Sequence, residues 1–199
     1  KFNLAEQQRH LYWDDRRFLV YIGGRGTGKS TAACMRILGM IQRGELRAGS
    51  RVVVIGPDYT QLSDGTLKTF DYWFNNLGLI EHKVDGMGRI RRDLRGGIEV
   101  LFRSGMVPEQ TRSKECQVVW LDEAAQMDES IFTLTNANVR STGIRSDDTS
   151  YQTIITSTPR GKNWLWRRFV NPETRFGEDK LGYYHMTTVD AEEQGVARD

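Results

Sequence analysis

The sequence predicts a three-layer α/β domain with a mainly parallel central sheet, and three stretches carry that prediction. Phe18-Leu19-Val20-Tyr21-Ile22 reads as a buried strand. Residues 29–42 place Ala33, Ile37 and Ile41 at four-residue spacing, with Cys34 and Leu38 beside them, an apolar stripe of helical period. Arg51-Val52-Val53-Val54-Ile55 then reads as a second buried strand, stopped by Gly56-Pro57. Strand, helix and strand in alternation make a βαβ unit and therefore parallel pairing.

Between the first strand and its helix lies Gly23-Gly24-Arg25-Gly26-Thr27-Gly28-Lys29-Ser30, which fits G-x-x-x-x-G-K-[ST]. Glycines let backbone N–H groups turn inward around a polyphosphate, and the helix that follows presents the positive end of its dipole to the same anion. In such a loop Lys29 meets the β- and γ-phosphates of ATP and Ser30 meets Mg²⁺. The bland alternative is a glycine-rich turn with a solvated lysine. A strand before and a helix after argue against it.

Composition sets the outer bounds. A chain of 199 residues can bury one substantial core. Its 28 basic and 26 acidic residues leave a net charge of +2, so any basic surface has to be local. The two cysteines, Cys34 and Cys116, sit in separate apolar stretches and read as reduced core residues. No apolar run approaches the ~18 residues of a membrane span, and nothing resembles a signal peptide, so the expectation is an intracellular protein without a membrane. Starting at Lys1 without a methionine, the chain is expected to be a fragment of something longer.

The remaining elements follow in order. Residues 3–13 read as a short helix, with Asn3 as its N-cap and Glu6 at the third helical position. That helix carries Gln7 and Gln8, whose amides both donate and accept. Residues 58–64 are a polar connection, and residues 66–77 a helix with Leu67, Phe70, Trp73, Phe74 and Leu77 turned to the core. Residues 83–102 alternate around Gly86, Gly88 and Gly96-Gly97, as in β-hairpins, and hold Arg89, Arg91, Arg92 and Arg95. Those arginines suit a nucleic-acid backbone or, equally, a charged edge that resists aggregation. Residues 128–139 read as a helix and 140–150 as a polar loop. In residues 162–169, Trp164 and Trp166 are expected to pack inward, and residues 183–189 form a last strand.

The second half of a nucleotide site lies further on. Val118-Val119-Trp120-Leu121-Asp122-Glu123 is an apolar strand ending in two carboxylates. Asp122 at the strand end can hold the hydrated Mg²⁺ bound by Ser30. Glu123, one step on and on the opposite face of the chain, is placed to orient or deprotonate an attacking water. Tyr151-Gln152-Thr153-Ile154-Ile155-Thr156-Ser157-Thr158-Pro159 is another strand, and its hydroxyl residues can reach the γ-phosphate or the glutamate. Its bland counterpart is an ordinary polar strand end.

An upstream glutamine, a phosphate loop with an internal arginine, apolar-Asp-Glu-Ala-Ala and Thr156-Ser157-Thr158-Pro159-Arg160-Gly161, in that order, resemble the ATPase domain of a viral large terminase, the motor that packages DNA in tailed bacteriophages. The resemblance covers about residues 4–162 and implies a RecA-like P-loop fold of the ASCE class. Helicases of superfamily two and related nucleic-acid remodelling enzymes share the Asp-Glu and Thr-x-Thr-Pro elements and are the competing reading. A nucleotide-dependent switch is a third, disfavoured because it has little use for Glu123.

The resemblance implies a nucleotide set of Gln8, or Gln7 one position off the usual spacing, with Gly23, Gly24, Arg25, Gly26, Thr27, Gly28, Lys29, Ser30 and Thr31. It implies Ser30 and Asp122 as metal holders, Glu123 as the catalytic glutamate, and Thr156, Ser157 and Thr158 as the coupling motif. Arg112 stands where terminases carry an arginine that reaches the neighbouring subunit, although the usual Arg-Gly is here Arg112-Ser113. A finger arginine is worth ~10³ to 10⁵ in turnover, and Arg25 could supply it within the subunit.

The partners implied are double-stranded DNA, the portal of the procapsid, the small terminase subunit and further copies in a ring, with a monomer in isolation, in the host cytoplasm. Residues 1–170 are expected to form the ATPase domain and 171–199 the start of a lid or linker. The nuclease domain of terminases is expected to be absent from this chain, and DNA cleavage with it.

Overall fold

A computed structural model describes residues 4–86, 90–106, 115–139 and 151–194. The strands are β1 (Phe18–Gly23), β2 (Arg51–Gly56), β3 (Ile80–Val84), β4 (Ile90–Leu94), β5 (Ile98–Ser104), β6 (Val118–Asp122), β7 (Gln152–Ser157) and β8 (Leu181–Met186). They form one sheet in the order β3-β4-β5-β2-β6-β7-β1-β8. From β5 to β8 all pairing is parallel, and only β3, β4 and β5 pair antiparallel, as the glycine-punctuated sequence predicts.

Alternation along the strands divides the core in two. Leu19, Tyr21, Val52, Val54, Val118, Trp120 and Ile154 face α1 (Glu6–Trp13), α2 (Lys29–Gln42) and α4 (Leu67–Asn76). Phe18, Val20, Ile22, Val53, Ile55, Val119, Leu121 and Ile155 face α5 (Glu129–Asn136) and the turn around Trp164 and Phe169. Helix, sheet and helix are thus the three layers expected, with the parallel strands buried on both faces. Among the described residues no helix is long and apolar enough to cross a membrane. Cys34 and Cys116 are buried and form no disulfide among the described residues.

Several boundaries differ from the sequence expectation. α1 starts at Glu6 with Ala5 as its N-cap, so Gln8 occupies the third helical position and its Oε1 accepts from the Ala5 N–H at 3.0 Å. The polar connection after β2 is helical: Asp58 caps α3 (Tyr59–Gln61), and a π-helical turn, Leu62–Thr66, joins it to α4. Polar residues hid this helix because only Leu62 and Thr66 of the turn are buried. Trp164 packs inward as expected, whereas Trp166 is half-buried with Lys162 lying over its ring.

Within the stretch 171–199, expected as the start of a lid or linker, β8 pairs with β1 along Phe18↔Leu181 to Gly23↔Met186 and so belongs to the main sheet. It stops at Met186, and α6 (Thr188–Glu193) replaces the last residues of the predicted strand because Thr187 caps that helix, accepting from the Asp190 N–H at 3.1 Å. A partly buried cluster ties this edge together: Asp14 accepts from Arg16 and from the Tyr184 hydroxyl.

Candidate active site

Parallel register gathers the polar strand ends at one edge of the sheet. Ile22 stands opposite Ser157 and Asp122 opposite Thr156, so the loop after β1, the carboxylates after β6 and the hydroxyls of β7 meet where parallel α/β sheets place their ligands. A cleft of about 380 Å³ opens there, and its walls include Ser30, Asp64, Thr66, Lys68, Asp122 and Glu123.

The loop Gly23–Ser30 owes its path to its glycines. Gly26 and Gly28 adopt φ of 71° and 67°, and a Cβ on Gly23 or Gly24 would run into Thr27 or Thr188. The Thr27 hydroxyl donates to the Gly24 carbonyl at 2.9 Å, bracing the turn. Lys29 is buried, its Nζ donating to the same carbonyl at 2.8 Å and standing 3.7 Å from Glu123 Oε1. Arg25 is exposed at the tip, with no partner among the described residues.

Gln8 is buried beneath this loop and spends both ends of its amide, the oxygen on Ala5 N–H and the nitrogen on the Gly28 carbonyl at 3.2 Å. Gln7 is only half-buried. Thr31 points at α4, accepting from the Trp73 indole at 3.4 Å. Arg112 lies outside the described residues.

The two carboxylates stand in contrasting surroundings. Asp122 is 5% exposed and is served by hydroxyls: Thr156 donates to Oδ1 at 2.5 Å, Thr66 to Oδ2 at 2.5 Å, and Ser30 to Oδ2 at 3.4 Å. Among the described residues it makes no ion pair. Burial pushes its pKa up, the Thr156 and Thr66 hydrogen bonds oppose that, the Glu123 charge adds to it and Lys29 opposes it. Behind Thr156, the Trp120 indole donates to the same hydroxyl at 2.7 Å.

Glu123 has φ 51° and ψ 42°, and is the only non-glycine residue with positive φ among the described residues. Strand alternation would send it to the face opposite Asp122. The left-handed backbone turns it back instead, so both carboxylates line one cleft, which corrects the opposite-face expectation. Its Oε1 accepts from the Thr158 hydroxyl at 2.9 Å and its Oε2 from the Thr158 N–H at 3.1 Å.

Thr156, Ser157 and Thr158 thus address Asp122, Ala125 and Glu123, Ser157 Oγ accepting from the Ala125 N–H at 3.0 Å. Of these three residues, Thr158 is the one whose hydroxyl reaches Glu123. Thr66 and the Trp120 indole had no signal in the sequence. One is the first residue of the helix expected over 66–77 and the other sits in an apolar strand, and only tertiary placement gives them polar work.

A family model described as the phage terminase large subunit matches residues 15–194. The large terminase ATPase domain of a Thermus phage is 18% identical and superposes with a TM-score of 0.69, covering 96% of this chain and 84% of that one. The large terminase of a thermophilic bacteriophage, solved with ADP, gives 0.75 at 14% identity, over 95% of this chain and 46% of that one. The N-terminal domain of the DNA packaging ATPase of bacteriophage phi29 gives 0.61 at 17% identity, over 92% and 95%. At these identities the likenesses speak for the fold. Comparison with curated protein sequences returned no match.

Proposed function

Because this chain belongs to the phage terminase large subunit family, we propose that it hydrolyses ATP to drive double-stranded DNA into a viral procapsid. The observation that carries the chemistry is the pair Asp122 and Glu123 at the mouth of the phosphate loop, one sealed among hydroxyls and the other beside Lys29.

The roles follow from position. Backbone N–H groups of residues 24–30 and the Lys29 ammonium bind the polyphosphate. Ser30 and Asp122 hold Mg²⁺, and the site suits it: a buried carboxylate with no cation partner among the described residues, beside a hydroxyl, is a hard all-oxygen donor set. When bound, Mg²⁺ offsets charge on the phosphate oxygens. Glu123, freed from Thr158, orients the attacking water and accepts its proton. Thr156, Ser157 and Thr158 sense that change because each touches the segment bearing the carboxylates. Gln8 either turns its amide to the adenine edge or ties α1 to the loop, as its two hydrogen bonds favour.

An arginine completes the charge balance, Arg112 from a neighbouring copy or Arg25 from within. The assembly is a ring at the portal, with the small subunit and DNA as further partners, in the host cytoplasm; the ATPase unit spans residues 1–170 together with β8.

The test of the motor is steady-state phosphate release against protein concentration. Turnover per subunit is expected to rise with concentration, to be lost in Arg112→Ala and in Glu123→Gln, and to return in part when the two are mixed. Turnover flat with concentration and indifferent to Arg112→Ala would overturn the shared site and leave Arg25 as the finger.

A further inference from the structure

We infer that Thr66 is a positioning residue of the active site, its hydroxyl fixing the metal-side carboxylate Asp122 from the wall opposite β7. The inference rests on the proposed role of Asp122. It begins from bookkeeping of lone pairs: an ionised carboxylate offers about four acceptor sites, and burial without donors costs several kcal/mol. Asp122 is buried, and among the described residues no cation pairs with it. Two threonines stand on its two oxygens instead, Thr156 from β7 and Thr66 from the helical segment after β2.

One of these contacts is dictated by the sheet, since Thr156 is the cross-strand neighbour of Asp122. The other is not. Thr66 is 56 positions away and reaches Asp122 only because the chain between α3 and α4 takes a π-helical turn over Leu62–Thr66. Such turns disturb the regular helical ladder and recur at functional sites. Within this one, Leu62 and Thr66 are the buried residues: Leu62 packs in the core against Gly56, and Thr66 faces the carboxylate.

Neutral hydroxyls suit the task better than a cation would. Lysine or arginine at position 66 would neutralise Asp122 and compete with Mg²⁺. A hydroxyl fixes the carboxylate plane, keeps the charge, and leaves Oδ1 a further acceptor site and Oδ2 the one on which Ser30 donates at 3.4 Å. The same segment is anchored to the phosphate-loop helix two turns on, through the Trp73 indole on Thr31. Thr66 therefore sets the distance between α4 and the strand end, and with it the orientation of the Asp122 oxygens toward Ser30.

The experiment is a Mg²⁺ titration of fluorescent ADP-analogue binding, run beside phosphate release and thermal melting, on wild type, Thr66→Val, Thr66→Ala and Thr66→Ser. Loss of the hydroxyl in Val and Ala is expected to raise the Mg²⁺ midpoint by about tenfold or more, the effect seen when partners of metal-holding groups are removed, with Ser restoring it. An unchanged midpoint in a folded Val or Ala variant would overturn the inference, as would a Ser variant as impaired as Val. The Ala variant, which leaves room for water, decides the matter if Val does not fold. Asp122→Asn serves as the control: if it leaves the midpoint unmoved, the metal-side reading of Asp122 falls, whereas a moved Asp122→Asn midpoint with unmoved Thr66 variants defeats the Thr66 inference alone.

Discussion

The nucleotide end of the sheet and its antiparallel extension both bury charge, but they compensate it in opposite ways. In the extension, Arg92 is 2% exposed and paired at 2.8 Å with Asp71 on α4 and at 2.8 Å with Asp85 after β3. Arg91 similarly reaches Asp93 and Glu99, and Arg51 reaches Glu99. At the nucleotide end, Asp122 is as deeply buried and is given hydroxyls only. A buried charge balanced by opposite charge holds two elements together, whereas one left unbalanced but hydrogen-bonded is available to a ligand of opposite sign. Within the arginine cluster, the buried and paired Arg92 serves the fold.

The largest effect that sharpens this contrast is expected from Glu123→Gln. It should lower turnover by about 10² to 10⁴, the range for loss of a general base, while fluorescent nucleotide binding persists. Unchanged phosphate release would remove Glu123 from the role of base and dissolve the contrast on its functional side. Next in size is Arg92→Ala, which strips Asp85 of its Arg92 partner and leaves Asp71 with Lys83 alone. Urea denaturation should register a loss of about 3 kcal/mol, discounted toward half of that because both carboxylates reach solvent. Nucleotide affinity per folded molecule should stay as in wild type; if it falls in parallel, the extension is not merely structural.

The smallest effect is a pH dependence at the far edge. Burial raises the Asp14 carboxyl, but donors from Arg16 and Tyr184 outweigh it and hold it below its ordinary 3.8. With the folded value depressed, Asp14 contributes stability that is present above about 3.8 and is lost as the pH falls through the folded value. The melting-temperature gap between wild type and Asp14→Asn should therefore close in strong acid, while ATP hydrolysis near neutrality is the same in both. A gap that persists unchanged at low pH would assign the effect to packing.

Much of this was legible before any coordinates. The phosphate loop is a local motif whose glycines declare their own torsions, and Val118 to Asp122 announces a buried strand by composition. The order of β8 in the sheet was not legible, because Leu181-Gly182-Tyr183-Tyr184-His185-Met186 mixes a glycine and a histidine into its apolar residues, and its partner, β1, lies more than 150 positions away. Thr66 was hidden for a related reason. A threonine at the start of the helix expected over 66–77 is not one of the residues that carry its apolar stripe, and its contact exists only after α4 has docked on the sheet. The side of the chain on which Glu123 emerges is hidden from the sequence because alternation fails at a left-handed residue.

That left-handed residue also constrains which sequences can occupy the position. A side chain at φ 51° costs roughly 1 to 3 kcal/mol unless it is glycine, with asparagine and aspartate paying least. Glycine would relax the backbone and delete the carboxylate; aspartate would keep the charge but draw it back by one methylene from Lys29 and Thr158. Position 123 is thus filtered twice, by torsion and by reach. Variation there should be far narrower than at the equally polar Gln126 three residues on, and a search for active relatives of this chain can begin with that one column.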